Sequence, residues 1–239
     1  MDNPGYIALS QQMVLRRQMD LIANNLANIT TPAFKAESML FVEQMQPTYR
    51  HERLSFVQDL AAYRDVSEGP LTPTNNPLDV AISGSGYFVV DTPEGQRYTR
   101  HGAFRLDGDG QIVTGRGDRV LDDRGSPLQV PPETTTIDIA ADGTISADRD
   151  QIGRIAVVQV ANEQALRKVE AGLYAAVAEQ PVPVEEVAVL QGMLEQSNVQ
   201  GVVEITRLID TARTYQLAAK LADQEHERQR RAIQALISA

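Results

Sequence analysis

The chain has 239 residues, 42% apolar and 5% aromatic, with no Cys and no Trp. That length supports one large domain or two small ones whose cores rest on Val, Ile, Leu and Ala, and the lack of Cys excludes disulfides and Cys-ligated metal sites. The net charge of −10 is unevenly spread, at +1 over residues 1–35, −11 over 36–186 and 0 over 187–239. Neutral ends suit packing surfaces, and an acidic middle suits a solvated surface that argues against nucleic acid as a partner.

The opening, Met1-Asp2-Asn3-Pro4-Gly5, lacks the basic and apolar regions of a cleaved signal peptide. No window approaches about 18 uninterrupted apolar residues. Export without cleavage and no membrane insertion are the expectations. Residues 6–29 read as a helix. Leu15, Met19, Ile22, Leu26 and Ile29 follow the alternating spacing of a coiled-coil seam, which an ordinary amphipathic helix on a core would also show. Thr30-Thr31-Pro32 stops it, because Pro32 disfavours helical backbone in the residue before it.

Residues 33–67 have no clear period. The polar centre of Pro47, Arg50, His51, Glu52 and Arg53 is flanked by Met39–Val42 and Leu54–Val57, a pattern that fits a long hairpin or an extended arm. From Glu68 to Pro183 short β-branched runs alternate with Asp-Gly and Arg-Gly turns, an all-β pattern. Val80–Ser83, Tyr87–Val90, Gln111–Thr114 and Ile155–Val160 are among the expected strands, and Pro181-Val-Pro183 is expected to be a stiff linker. The helical period returns from Val202 to Leu236. Ile205, Leu208, Ala212, Tyr215, Ala219 and Ala222 form its seam, on a helix of the order of 50 Å.

No catalytic or metal arrangement stands out. His51, His101 and His226 lie in separate segments without ligand spacing. Asp107-Gly-Asp109-Gly110 begins like a calcium loop but continues wrongly and reads as a turn. Gly84-Ser-Gly86 lacks the third glycine and the helix of a dinucleotide site. Asp122-Asp123 and Glu185-Glu186 read as solvated surface. The expectation is no enzyme activity and no cofactor. Asn24, Asn25 and Asn28 form a row of amides beside the first seam, and Asn198 adjoins the second. Buried amides can set register between packed helices, and at a helix end they can instead serve as caps.

Ala23-Asn-Asn-Leu-Ala-Asn28 followed by Thr30-Thr-Pro-Ala-Phe-Lys35 resembles the N-terminal signature of bacterial flagellar rod and hook proteins. Ser197-Asn-Val199, with Glu204, Arg213 and Tyr215, resembles their C-terminal signature. Asn76–Phe88, Tyr98-Thr-Arg-His-Gly-Ala-Phe104 and Gly110–Gly115 are similar to their central blocks. The length leaves no room for the extra outer domain of hook proteins. The start Tyr6–Asp20 looks most like a proximal rod member, with a distal rod member as the alternative. The family usually has Gly where this chain has Ala33, so the local turn is expected to differ.

The resemblance implies an α+β fold, with N- and C-terminal helices packed as a coiled-coil-like stem and a central all-β domain. The expected divisions are 1–35 for the N-terminal assembly helix, 36–67 for the arm or hairpin, 68–183 for the β-domain and 184–239 for the C-terminal assembly helix. It also implies a self-assembling, torque-transmitting and subunit-conducting tube in the basal-body rod. The implied partners are copies of the chain, homologous rod proteins and the flagellar type III export apparatus. The assembly residues would be Leu15, Met19, Ile22, Asn24, Asn25, Leu26, Asn28, Ile29, Asn198, Ile205, Leu208, Ala212, Tyr215 and Ala219. A ligand-binding β-protein with a helical dimerisation stem is the competing class, although no convergent polar site is visible for it. A secreted effector or adapter using the same export route is a third.

Overall fold

A computed structural model of the chain describes residues 4–47, 53–170, 172–176, 181–184 and 188–237. Arg50, His51, Glu52, Glu185 and Glu186 lie outside them. The chain divides into two compact units. Unit 1 is residues 1–29, 36–65 and 199–239, and unit 2 is residues 30–35 and 66–198.

Unit 1 contains helix α1 (Pro4–Ala27), strands β1 (Glu37–Pro47) and β2 (Arg53–Arg64), and helix α2 (Gly201–Ile237). The two strands pair antiparallel from Glu37 opposite Arg64 to Pro47 opposite Arg53, with a register shift between Leu40 and Phe41. Such a shift inserts one residue and bends the ribbon, which obscures a period of two in the sequence. Helix α1 packs against α2 and against both strands.

Unit 2 is built from antiparallel sheets. The largest has strand order 166–168, 173–176, 95–99, 87–92, 119–120, 112–114 and 104–106. Residues 137–139, 144–147 and 150–154 form a three-stranded sheet. Val80, Ile82, Phe88, Val90, Val120, Ile145 and Val189 are buried in one contiguous core, where Phe88 and Phe104 meet edge to face at 5.2 Å. Gly102 is required by close approach. Its carbonyl accepts from Val80 N at 2.9 Å, and a Cβ there would lie 1.7 Å from Val80 O.

Three expectations are corrected. Pro181–Pro183 is not a stiff linker but part of a sheet, since Val182 and Pro183 pair with Gln159 and Val158. Residues 188–198 do not belong with the C-terminal helix. Strand 188–191 pairs with Val80–Ser83, and strand 193–195 pairs with Leu71–Pro73. The β-unit also reclaims 30–35 from the N-terminal segment. These strands are only two to four residues long, too short for periodicity to separate them from loops. Asp107-Gly-Asp109-Gly110 is a turn, with Asp107 Oδ1 accepting from Asp109 N and Gln111 N.

Candidate assembly surface

Asn25 is the joint of unit 1. It is 1% exposed, and its amide pairs with the backbone N–H and carbonyl of one residue as a strand neighbour would. Oδ1 accepts from Glu37 N at 3.0 Å, and Nδ2 donates to Glu37 O at 2.9 Å. Nδ2 also donates to Glu204 Oε2 at 3.1 Å. One side chain thus ties α1 to β1 and to α2, using both of its donor hydrogens and its acceptor. Glu204 is buried in the first turn of α2, where a carboxylate suits the helix dipole. Its other oxygen accepts from Arg207 Nη1 at 2.8 Å.

The helices run antiparallel. Ile29 Cδ1 lies 2.6 Å from where a Cβ on Gly201 would stand, Asn25 reaches Glu204, and Gln18 and Ile22 border the same small cavity as Arg207. On α2, Glu204, Thr211 and Ala218 are buried, with Leu208, Tyr215 and Ala222 half-buried beside them. This row keeps the heptad spacing but is rotated from the expected one. Leu208, Tyr215 and Ala222 are shared, Ala212 and Ala219 flank the row half-buried, and Ile205 is exposed. Apolar residues surround α2, so spacing alone permits more than one face. The face taken combines small side chains at Thr211 and Ala218 with a carboxylate that Asn25 satisfies.

On α1, Ile22 is buried and Leu15, Met19 and Leu26 are half-buried, while Ile29 lies past the helix end and is exposed. The amide row splits. Asn24 is exposed, and Asn28 folds back to donate to Asn24 O at 2.9 Å, finishing its own helix. Asn198 lies in unit 2, where Nδ2 donates to Ser67 O at 3.1 Å. The structure therefore brings together Asn25, Ile22 and the α2 row. Sequence spacing missed Glu204, Thr211 and Ala218, and only the acid in the first helical turn carried a signal.

Behind α1 the chain turns at Ala33, which adopts φ +58° and is buried. The turn therefore keeps the left-handed backbone that glycine favours, contrary to expectation. A Cβ in that region costs about 1–2 kcal/mol. The N–H of Ala33 donates to Glu195 O at 2.8 Å, which holds the residue there. Among the described residues no group of three or more His, Asp or Glu could hold a metal, and no helix is long and apolar enough to cross a membrane.

Two family models match the chain: the flagellar hook protein FlgE/F/G D1 domain over residues 81–147 and the flagellar basal body rod FlgEFG protein C-terminal region over 190–235. The flagellar basal-body rod protein FlgF of Caulobacter vibrioides is 39% identical, covering 99% of this chain and 98% of its own. FlgF of Mesorhizobium japonicum is 34% identical, over 94% and 93%. The flagellar basal-body rod protein FlgG of Bacillus subtilis is 30% identical, over 90% and 92%. With likeness at this level along nearly its whole length, the chain belongs to the flagellar basal-body rod protein family and is a structural component of the rod, most like the FlgF members.

Proposed function

We propose that the paired helices of unit 1 are the assembly element of a rod subunit, a coiled-coil-like stem whose outer faces pack on the same helices of neighbouring subunits. The observation that carries this reading is a second apolar face on α2. Val202, Ile205, Ile209, Leu217 and Leu221 stand away from the Glu204–Thr211–Ala218 row, with Val202 81% and Leu221 63% exposed. Large apolar side chains left exposed on the side of α2 that α1 does not cover suit contact with another surface. Helix α1 likewise exposes Leu9 and Met13.

The neighbours proposed are copies of the chain and homologous rod proteins, since net-neutral ends can pack together without charge repulsion. Leu15, Met19, Ile22, Leu26 and Ile29 pack with Leu208, Ala212, Tyr215 and Ala219, while Ile205 serves the outer contact. The acidic residues 66–198 remain solvated. A tube of such subunits transmits torque and conducts exported subunits, and the chain reaches it through the flagellar type III export apparatus. The proximal rod is the position proposed, from the likeness to FlgF, and the distal rod is the alternative, from the likeness to FlgG.

The test is the double variant Ile209→Asp/Leu217→Asp. Swimming is expected to be lost and high-concentration multimers to disappear in sedimentation, while unit 2 unfolds at the wild-type temperature. Wild-type swimming by this variant would remove the outer face from the assembly.

A further inference from the structure

Three passages of the chain meet inside unit 2. Residues 31–35 follow α1, 67–70 follow β2, and 193–198 precede α2. At their meeting point lie three buried charges, Lys35, Arg100 and Glu195. Lys35 Nζ donates to Glu195 Oε1 at 2.6 Å and to Ser67 O at 2.7 Å. Gly69 N donates to the same carboxylate oxygen at 3.0 Å. Arg100 Nε stands 3.5 Å from Glu195 Oε2, and its Nη2 donates to Gly84 O at 2.7 Å. Main-chain bonds run beside this node, with Ala33 N donating to Glu195 O at 2.8 Å, Asn198 N to Phe34 O at 3.3 Å and Gln196 N to Pro70 O at 2.9 Å. The passages are pressed together so closely that a Cβ on Gly69 would lie 2.0 Å from Gln196 O.

The charge balance at the node is asymmetric. Two cations share one carboxylate, and each cation comes from a different part of the chain. Burial holds the Lys35 ammonium below its ordinary range, the Glu195 carboxylate opposes that, and the neighbouring Arg100 adds to it. Without Glu195, Lys35 and Arg100 would be two like charges buried together, a state far costlier than either a paired or an exposed charge. Without Lys35, Glu195 would keep only the longer contact to Arg100 and the Gly69 amide. The segment after α1 and the segment before α2 each supply the counter-charge that makes burying the other tolerable.

We propose that the Lys35–Glu195–Arg100 node is a latch that makes the seating of residues 31–35 and 193–198 in unit 2 mutually dependent. The segments leading to the two terminal helices are then committed together: residues 31–35, made early in the chain, seat only when 193–198 arrive. This device belongs to the single chain and does not rest on the assembly reading.

Hydrogen–deuterium exchange on the full-length monomer tests it. Lys35→Met is expected to speed exchange about tenfold or more across residues 193–198 as well as 31–35, because a charged hydrogen bond is lost, while strand Tyr87–Thr92 keeps its protection. Glu195→Gln is expected to open the same two segments. Lys35→Arg, which keeps the charge, is expected to retain most of the protection in 193–198. Wild-type exchange across 193–198 in Lys35→Met would overturn the latch, as would equal loss in Lys35→Met and Lys35→Arg. Should Glu195→Gln also open Tyr87–Thr92, the two Lys35 variants decide the matter alone.

Discussion

Unit 2 completes its own burial, and unit 1 does not. In residues 66–198 Val80, Phe88, Val90, Val120 and Ile145 are enclosed by their own sheets. In the helices of unit 1 the most buried positions include Asn25, Glu204 and Thr211, while Val202, Ile209, Leu217 and Leu221 face outward. The β-unit encloses its core side chains between its own sheets. The helical unit uses hydrogen bonds to set its internal geometry and leaves apolar side chains exposed on α2. The outer-contact proposal rests on those exposed side chains.

The largest expected effect comes from the self-sufficient unit. Phe88→Ala removes a fully buried ring that packs on Phe104, and the loss of stability is expected at about 3–5 kcal/mol. Urea unfolding followed by tyrosine fluorescence measures it. By contrast, the outer-face changes at Ile209 and Leu217 should move monomer stability by no more than about 0.5 kcal/mol. If the outer-face variants destabilised the monomer as Phe88→Ala does, the contrast between the units would collapse.

Asn25→Asp probes the polar joint of unit 1. A carboxylate can still accept from Glu37 N but cannot donate to Glu37 O or Glu204, and it sets a second negative charge beside Glu204. A loss of about 2 kcal/mol is expected, seen as earlier melting of the helical circular dichroism signal. Asn24→Asp, on the exposed side of the same turn, should leave the melt unchanged. Equal effects of the two would mean that the amides act through helix propensity rather than through the joint.

Ala33→Gly should stabilise the chain by about 1 kcal/mol, because it relieves the left-handed strain at φ +58°. Thermal unfolding measures the gain, and a loss of stability would place the strain elsewhere.

The smallest expected effect is a pH dependence in unit 2. Burial holds the half-buried His101 imidazole below its ordinary value, partly opposed by the charge of Asp79. A base whose folded-state value is lowered binds fewer protons folded than unfolded. Its contribution is therefore intact above about pH 6.5 and declines as pH falls through the folded-state value. His101→Gln should flatten unit 2 stability between about pH 7 and 5. An unchanged slope would assign the dependence to the carboxylates.

Much of the architecture was legible in the sequence, because it rests on local rules. Helices at both ends follow from a period of three and four residues. The β-region follows from alternating runs and Gly-containing turns. A stop before Pro32 was expected, and α1 ends a few residues earlier, at Ala27. The family was legible in short blocks such as Thr30–Lys35 and Tyr98–Phe104, and two of their residues, Lys35 and Arg100, turn out to share Glu195. Tertiary structure alone decided which face of α2 meets α1, since Ile205 and Glu204 both satisfy a heptad and the amide of Asn25, with Arg207 on the other oxygen, makes burying Glu204 tolerable. It also decided which of three asparagines is the joint, because their spacing is equivalent until Glu37 presents both its N–H and its carbonyl to one of them. The left-handed turn at Ala33 is held by a hydrogen bond to Glu195, a residue remote in sequence. Periodicity reports how often a chain must bury something, whereas the identity of the buried groups depends on partners far away along the chain.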